Sequence, residues 1–429
     1  MTTTVIPEDA SPRPGPRDLR LYLANRCIST IAVQFQIVAV AWQIYDITGD
    51  PLHLGYVGLF EFLPMVVLAL PAGDLADRIN RRTLLISTYV LQAIAAAGLI
   101  ALTYNGVRDV WLYYLLVTIF GCARGISQPA QQSILPFLVP KENLPRAIAA
   151  NSAVYTIANI SGPAIGGVVL ALFGPGATYV ACLSFFLVTI VAMSNVHMRH
   201  PASMGGPVGT AAQRIGDGLR YTWGHPLIVG AISLDLFAVL LGGAVALLPV
   251  YQRDILHMGP MGLGLLRAAP GVGAATVALI LMRWPLKRYA GYSMFFAVAV
   301  FGLATIVFAL SRNFYLSMAA LALSGCADLI SVYVRSATVQ LATPDHLRGR
   351  VGSVTSLFVS TSNELGQFRA GVMAAWIGTV PAVVFGGVGT IFVVALWMWM
   401  FPSLRRIDRL SDLASAQPAQ PQTQTPAQP

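Results

Sequence analysis

Residues Gly73-Asp74-Leu75-Ala76-Asp77-Arg78-Ile79-Asn80-Arg81-Arg82 end one long apolar run, and a second run begins at Thr83. Two acids and three arginines fall within this stretch. A link so short and so charged, between two runs of membrane length, reads as a tight aqueous hairpin joining two membrane-spanning helices. Lys and Arg near helix ends are retained in the cytoplasm, so the arginines also fix the side on which the hairpin lies. A charged loop that only sets orientation is the plainer reading of the same residues; the rest of the chain weighs against it.

The chain has 429 residues, of which 56% are hydrophobic and only 10% charged. Soluble domains carry about a quarter charged residues, so the solvent of this chain is largely lipid. The mean hydropathy of +0.67 agrees. The net charge of +9 would fit nucleic acid, but the basic residues sit in short links between apolar runs, which topology explains and nucleic-acid binding does not. Cys27, Cys122, Cys182 and Cys326 all lie in apolar runs with no Cys-x-x-Cys or Cys/His cluster, so neither a disulfide framework nor a metal site is expected. The first twenty residues are polar and Pro-rich and do not read as a signal peptide. No nucleotide loop, metal cluster or nucleophile constellation stands out, so no enzyme and no cofactor are expected.

Runs able to span a bilayer, about twenty residues each, cover Leu21–Tyr45, His53–Leu75, Thr83–Tyr104, Val110–Val139, Leu144–Phe173, Pro175–Val196, Pro226–Arg253, Met258–Arg283, Tyr292–Leu310, Phe314–Thr343, Arg350–Ile377 and Val380–Leu404. The expected fold is therefore all-α and integral to the membrane, with twelve transmembrane helices. One set of alternate links is rich in Lys and Arg; the other holds only Arg108, Arg253 and Arg312. This asymmetry places both termini in the cytoplasm. The expected organisation is an N-terminal segment (1–20), a six-helix half (21–197), a cytoplasmic linker (198–225), a second six-helix half (226–404) and a disordered tail (405–429). Within the linker, Gly205-Gly206-Pro207 precedes an amphipathic piece with Ile215 and Leu219 apolar and Arg214, Asp217 and Arg220 polar. That piece is expected on the membrane surface.

The two halves repeat. Gly121-Cys122-Ala123 matches Gly325-Cys326-Ala327. At the same offset Pro140 matches Pro344 and Arg146 matches Arg350, while Ser152, Asn159, Gly162 and Gly167 match Ser356, Asn363, Gly366 and Gly371. Halves of equal topology, related by an axis along the membrane normal, follow. The third, sixth, ninth and twelfth runs hold no ionisable residue in their interiors; the others hold Arg26, Glu61, Arg124, Asp235, Arg267, Asp328, Arg335, Glu364 and Arg369. Intramembrane charges face a bundle interior or a wet cavity, so every third helix is expected on the lipid-facing outside.

Two six-helix halves, a basic central link and Gly73-x-Leu75-x-Asp77-Arg78-x-x-Arg81-Arg82 after the second run resemble the major facilitator superfamily of secondary transporters. The resemblance covers nearly the whole chain. It implies that Asp77 and the arginines latch helix ends in one conformation and release them in another; a carboxylate near cations and a helix terminus can make such a latch. The family's loop usually has Gly where this chain has Asn80, the next residue best able to take a left-handed turn. Gly162-Pro163-Ala164-Ile165-Gly166-Gly167 resembles the antiporter motif of exporters in that superfamily. Pro163 removes a backbone donor and bends the helix, and Gly162, Gly166 and Gly167 let a neighbour approach closely; ordinary small-residue packing is the alternative. More narrowly, Gly121–Ala130, Val139–Leu144 and Pro344–Val351 resemble the exporter branch that includes enterobactin-type siderophore exporters, a branch shared by lysophospholipid transporters.

The candidate proton-coupling and cavity charges are Glu61, Arg124, Asp235, Asp328, Arg335, Glu364 and Arg369. All six histidines fall in links or near run ends, so carboxylates are the expected proton carriers. Asp328 and Arg335 share a helix face, and Arg124 is the repeat counterpart of Asp328. Opposite charges at equivalent positions raise the expectation of an Arg124–Asp328 pair across the halves, with a purely structural ion pair as the alternative. Arg26, near a run end, is expected to snorkel; Arg267 has no expected partner. Tyr22, Phe35, Trp42, Tyr45, Tyr155, Phe237, Phe358 and Phe368 are candidates for lining a cavity. Together these readings give a monomeric, proton-coupled exporter of a siderophore-like or drug-like amphipathic small molecule, in a bacterial-type inner membrane in contact with lipid. Lysophospholipid flipping or uptake on the same scaffold is the alternative; a membrane sensor that moves nothing is an alternative of another class.

Overall fold

A computed structural model of the chain describes residues 15–78, 80–198, 211–286, 288–344 and 347–409. The expected Gly/Pro segment at 205–207, Lys287 and the tail from Ser411 lie outside the described residues. Helix α1 (Pro16–Thr48) stops at Gly49, whose φ of +64° is the left-handed conformation that glycine adopts without strain. Then come α2 (Pro51–Arg78), α3 (Arg81–Tyr104), α4 (Val110–Ser133), α5 (Leu144–Ser194), α6 (Ala211–Gly224), α7 (Pro226–Gly242), the single turn α8 (Leu248–Val250), α9 (Pro260–Arg283), α10 (Ala290–Leu310), α11 (Phe314–Ala342), α12 (Arg348–Ile377), α13 (Thr379–Met400) and the short α14 (Pro402–Arg405). Strands are absent among the described residues.

Among the described residues, ten helices are long and apolar enough to cross a membrane. One of them, α5, runs for 51 residues but breaks at Gly174, at φ +78° and ψ 177°, just before Pro175. Only glycine visits that region freely, so the fifth and sixth runs meet where the sequence places them. Helix α12 has 30 residues and is too polar to count among the ten. The twelve runs thus correspond to ten helices by length and apolarity, one of them broken in two, plus the more polar α12.

Helices α1–α5 pack among themselves, as do α7–α14. The largest contacts between the two groups are α5 with α9 and α2 with α12. Both depend on glycine. A Cβ on Gly167 would lie 2.6 Å from the Gly264 Cα, and one on its repeat counterpart Gly371 would lie 2.7 Å from the Gly55 Cα. Within each half, Gly121 and its counterpart Gly325 let α4 and α11 close onto the backbones of α2 and α9 at Glu61 and Pro270. The internal repeat is therefore a repeat of packing. Phe296 and Leu303 of α10, Phe392 and Trp399 of α13, Ile94 of α3 and Leu187 and Val191 of the second part of α5 are exposed, apolar surface of the kind lipid covers.

The core divides by depth. At the end opposite the termini one apolar cluster spans both halves, with Tyr45, Leu54, Tyr113, Leu247, Tyr251, Phe308 and Ala370 among its members. There the Tyr45 hydroxyl bonds Asp254 and Arg253 pairs with Asp46 at 3.2 Å. At the terminal end each half keeps its own core: Tyr22, Leu84, Leu135 and Met193 in the first, Ala231, Met294, Trp397 and Leu404 in the second. The halves are sealed together far from the termini and are separately packed near them.

Two local features differ from the sequence reading. Asn80 is not left-handed; at φ −55° and ψ 120° it is the N-cap of α3, its side chain accepting from the Arg82 N–H. Asn is among the strongest N-caps, so the departure from Gly gives the next helix a start. Helix α6 does not lie only on a membrane surface: Gly218 packs on the α12 backbone at Arg350, and the Tyr221 hydroxyl donates to the Ala342 carbonyl at 3.1 Å. The side chains of Arg214, Ile215 and Asp217 lie outside the described residues. Beyond α14, Asp408 accepts the Tyr289 N–H at 2.9 Å and Arg288 Nε at 3.4 Å. The backbone donor, with Arg288 beside it, holds this exposed carboxyl below its ordinary range.

Candidate functional site

Glu61 on α2 forms an ion pair with Arg124 on α4, brought together because Gly121, about one turn before Arg124, lets the helices touch. Across the gap between halves, α12 presents Glu364, whose Oε2 accepts from Gln367 Nε2 at 2.9 Å. The α2–α12 contact is close here, with Gly58 facing Gln367 and Glu364. Arg267 of α9 is close enough to Glu61, Glu364 and Arg124 for their charges to act on it. Two acids and two bases from four helices, two per half, thus lie near one another, with Glu61–Arg124 the direct ion pair among them. A lone charge at mid-bilayer costs about 3 kcal/mol by insertion scales; mutual neutralisation removes much of that penalty. A change of protonation leaves one charge of the group uncompensated, and withdrawal of one half separates the Glu61–Arg124 pair from Arg267 and Glu364.

A second group lies wholly in the second half. Asp235 on α7 pairs with Arg335 on α11. Asp328, seven residues earlier on α11, faces the same side, in a small recess with Asp235, Val239, Val298, Phe301 and Ser331. The expected Arg124–Asp328 pair does not form. Arg124 is engaged by Glu61 in its own half, and Asp328 is turned into the interior of the other. Repeat-equivalent positions sit on opposite walls of a two-fold bundle, so equivalence in sequence does not bring them into contact. Arg369 is set apart as well: it donates to the Leu241 carbonyl at 2.6 Å, where α7 breaks before resuming as the turn Val245–Leu247. The guanidinium satisfies backbone freed by a broken helix.

Arg26 does not snorkel. Ten residues into α1, about 15 Å from its start, its guanidinium lies over the Tyr155 ring at 4.6 Å. It lines a cavity of about 250 Å³ with Gln34, Tyr89, Gln92, Arg124 and Asn159 among others. Of the eight aromatic candidates, Tyr155 lines this cavity, whereas Tyr22, Phe35 and Tyr45 are buried in packing. The lining amides and hydroxyls were not singled out in the sequence. Their signal was present: Ser29, Thr30 and Gln34, which line the cavity, belong with Asn25 and Gln36 to one stretch of α1 that is polar within an apolar run.

Of the hairpin motif, Gly73, Asp77 and Arg78 fall in the last turns of α2, and their side chains lie outside the described residues. Arg81 stacks over the Phe137 ring at 4.2 Å, and Arg82 donates to the Ser194 carbonyl. These two arginines tie the start of α3 to the ends of α4 and α5. Of the glycine-rich motif, Gly162 and Gly166 pack on α1 at Gln34 and Phe35, while Gly167 and the Pro163 carbonyl meet Gly264. Helix α5 keeps helical dihedrals through Pro163 and breaks only at Gly174.

A family described as transmembrane secretion effectors matches residues 19–427. The chain is 28% identical over 386 residues to the multidrug efflux pump Tap of Mycobacterium tuberculosis, covering 87% of this chain and 90% of that one. It is 26% identical over 390 residues to the enterobactin exporter EntS of Citrobacter koseri, covering 90% and 92%. Among solved structures, the nucleoside transporter NupG superimposes with a TM-score of 0.73 at 11% identity, covering 90% of this chain and all of that one; this likeness concerns the fold.

Proposed function

Because the chain belongs to the transmembrane secretion effector family, multi-pass transporters of small molecules on the major facilitator fold, we propose that it exports an amphipathic cargo in exchange for protons. The terminal end is cytoplasmic in this reading, and the membrane is a bacterial inner membrane. Residues 21–197 and 226–404 are the units that rock about the central site. A fused core at the far end with separate cores at the terminal end corresponds to the state open toward the cytoplasm.

The observation that carries the proton coupling is the cluster of Glu61, Arg124, Arg267 and Glu364. Its members come from both halves, so rocking parts the Glu61–Arg124 pair of one half from Arg267 and Glu364 of the other. A proton on Glu61 or Glu364 removes one of two negative charges and weakens the hold of Arg124 and Arg267 across the gap. Protonation and the conformational step are then linked through one set of atoms. A proton entering down the potential brings about 2.3 kcal/mol per 100 mV, enough for more than tenfold accumulation of cargo. The names of Tap and EntS support export and a drug-like or siderophore-like cargo. Everted vesicles holding an imposed proton gradient, followed with a pH-sensitive dye, test the reading. A cargo that dissipates the gradient in wild type but not in Glu364→Gln supports it; dissipation unchanged in Glu364→Gln overturns the role of the cluster.

A further inference from the structure

We propose that the cavity beside Arg26 binds the anionic group of a soluble organic acid, so that the cargo is an acid. The inference rests on the transport reading for the direction in which the acid moves, not for whether it binds. Three observations carry it. First, among the described residues the lining holds two arginines and no acidic side chain. Second, the two differ in their commitments: Arg124 is paired with Glu61, whereas among the described residues no carboxylate pairs with Arg26. Its guanidinium rests on the face of Tyr155, and its Nε is buried without a hydrogen-bond partner. A cation at this depth in a membrane protein is costly unless something neutralises it, and a ligand can. Third, the rest of the wall is built for hydrogen bonding. Asn25 accepts from the Tyr89 hydroxyl at 2.8 Å and donates to the Thr189 carbonyl at 2.7 Å, which fixes Tyr89 in the wall. Gln92 Oε1 is buried with no donor. An anion carrying a neighbouring hydroxyl would meet both unsatisfied groups, the charge on Arg26 and the hydroxyl hydrogen on Gln92.

Size sets a further limit. Drug-sized ligand sites run to about 300–1,000 Å³, and about 250 Å³ holds a small acid or the acidic head of a larger molecule. Arg124 belongs both to this wall and to the central cluster, so an arriving anion competes with Glu61 for Arg124. Cargo binding thereby loosens the same charges that a proton loosens. Export of the anion against entry of a proton moves charge in the same electrical sense twice, so the exchange is electrogenic.

The test uses the full chain, purified in detergent micelles at pH 7, with two probes of nearly the same shape: salicylate, an anion, and salicylamide, its neutral counterpart. Binding is read by calorimetry and by the rise in melting temperature. Salicylate is expected to bind the wild type at least about tenfold more tightly than salicylamide, as loss of a charge-assisted hydrogen bond implies. Arg26→Gln is expected to abolish that preference and Arg26→Lys to keep part of it. Ligand-free melting curves of both variants separate a lost site from a misfolded chain. Equal binding of the two probes, an unchanged preference in Arg26→Gln, or no salicylate binding by the folded wild type overturns the proposal. So does Arg26-dependent binding of lysophosphatidylglycerol alone, which would make the anion a lipid headgroup. The vesicle dye assay with ethidium, a cation, keeps the two readings apart: ethidium-driven proton flux without salicylate binding leaves export standing and removes the acid site. Salicylate binding, with no proton flux from any cargo, does the reverse.

Discussion

Gly167→Ala tests the far-end seal. The added Cβ would lie 2.6 Å from the Gly264 Cα, whereas carbon atoms settle at about 3.5–4.0 Å. Backbone lies on both sides, so no flexible side chain can yield, and α5 and α9 must part by about 1 Å. Overpacking of this kind costs about 1–3 kcal/mol. A cost of about 1–2 kcal/mol borne by the sealed state alone shifts the balance toward the far-open state about five- to thirty-fold. The reporter is Ala370→Cys, 1% exposed within the shared core, in a chain whose Cys27, Cys122, Cys182 and Cys326 have been replaced. A membrane-impermeant maleimide added on the side opposite the termini should label it faster by that factor in Gly167→Ala. Gly371→Ala, which meets Gly55 at 2.7 Å, should act in the same direction. Gly216→Ala, with no atom within 4 Å of the new Cβ, should not change the rate. An unaltered labelling rate in folded Gly167→Ala would refute the reasoning, because the glycine would then not be holding the halves together.

Other outcomes follow from the charges. In a double-mutant cycle read by transport rate, Glu61→Gln and Arg124→Gln should be non-additive by about 0.5–3 kcal/mol, while Arg124→Ala and Asp328→Ala, which lie in separate sites, should add. Asp235→Asn should lower the melting temperature by an amount equivalent to about 3–5 kcal/mol, since Arg335 is left buried without its partner; the apolar pair Asp235→Leu with Arg335→Met should recover much of it. Asp408 has a folded pKa below the ordinary aspartate value of 3.8, so its contribution is present above about pH 4 and is lost as pH falls through the lower folded value. The melting difference between wild type and Asp408→Ala should therefore be present at pH 7 and shrink toward pH 2.

Much of this architecture is legible in the chain because lipid permits so few solutions. An apolar run must close its backbone hydrogen bonds within itself, so run length and run breaks translate directly into helices. The Gly174-Pro175 junction illustrates this: the 51-residue helix breaks at Gly174, where the fifth run gives way to the sixth. The Gly121/Gly325 match likewise reports a shared contact, since both glycines are required by the close approach of a neighbouring backbone. What the sequence obscures is which wall a charge faces. Arg124 and Asp328 look complementary along the chain, yet two-fold symmetry puts them on opposite sides, and only three-dimensional packing selects Glu61 for the first. Arg26 is misjudged for a different reason. Its distance from the end of an apolar run says little about its depth when α1 extends from Pro16, five residues before that run begins. Arg267 has no partner within its own helix, and its neighbours come from three others.

The coupling of protons to cargo through the four-charge cluster is tested most directly in proteoliposomes containing the purified chain. Two quantities are read side by side: cargo uptake driven by an imposed pH gradient, and cargo-for-cargo exchange without one. Glu61→Gln with Glu364→Gln is expected to abolish the first and preserve the second, since the halves can still rock once their charges no longer depend on a proton. Gradient-driven uptake that survives in that double variant would contradict the account.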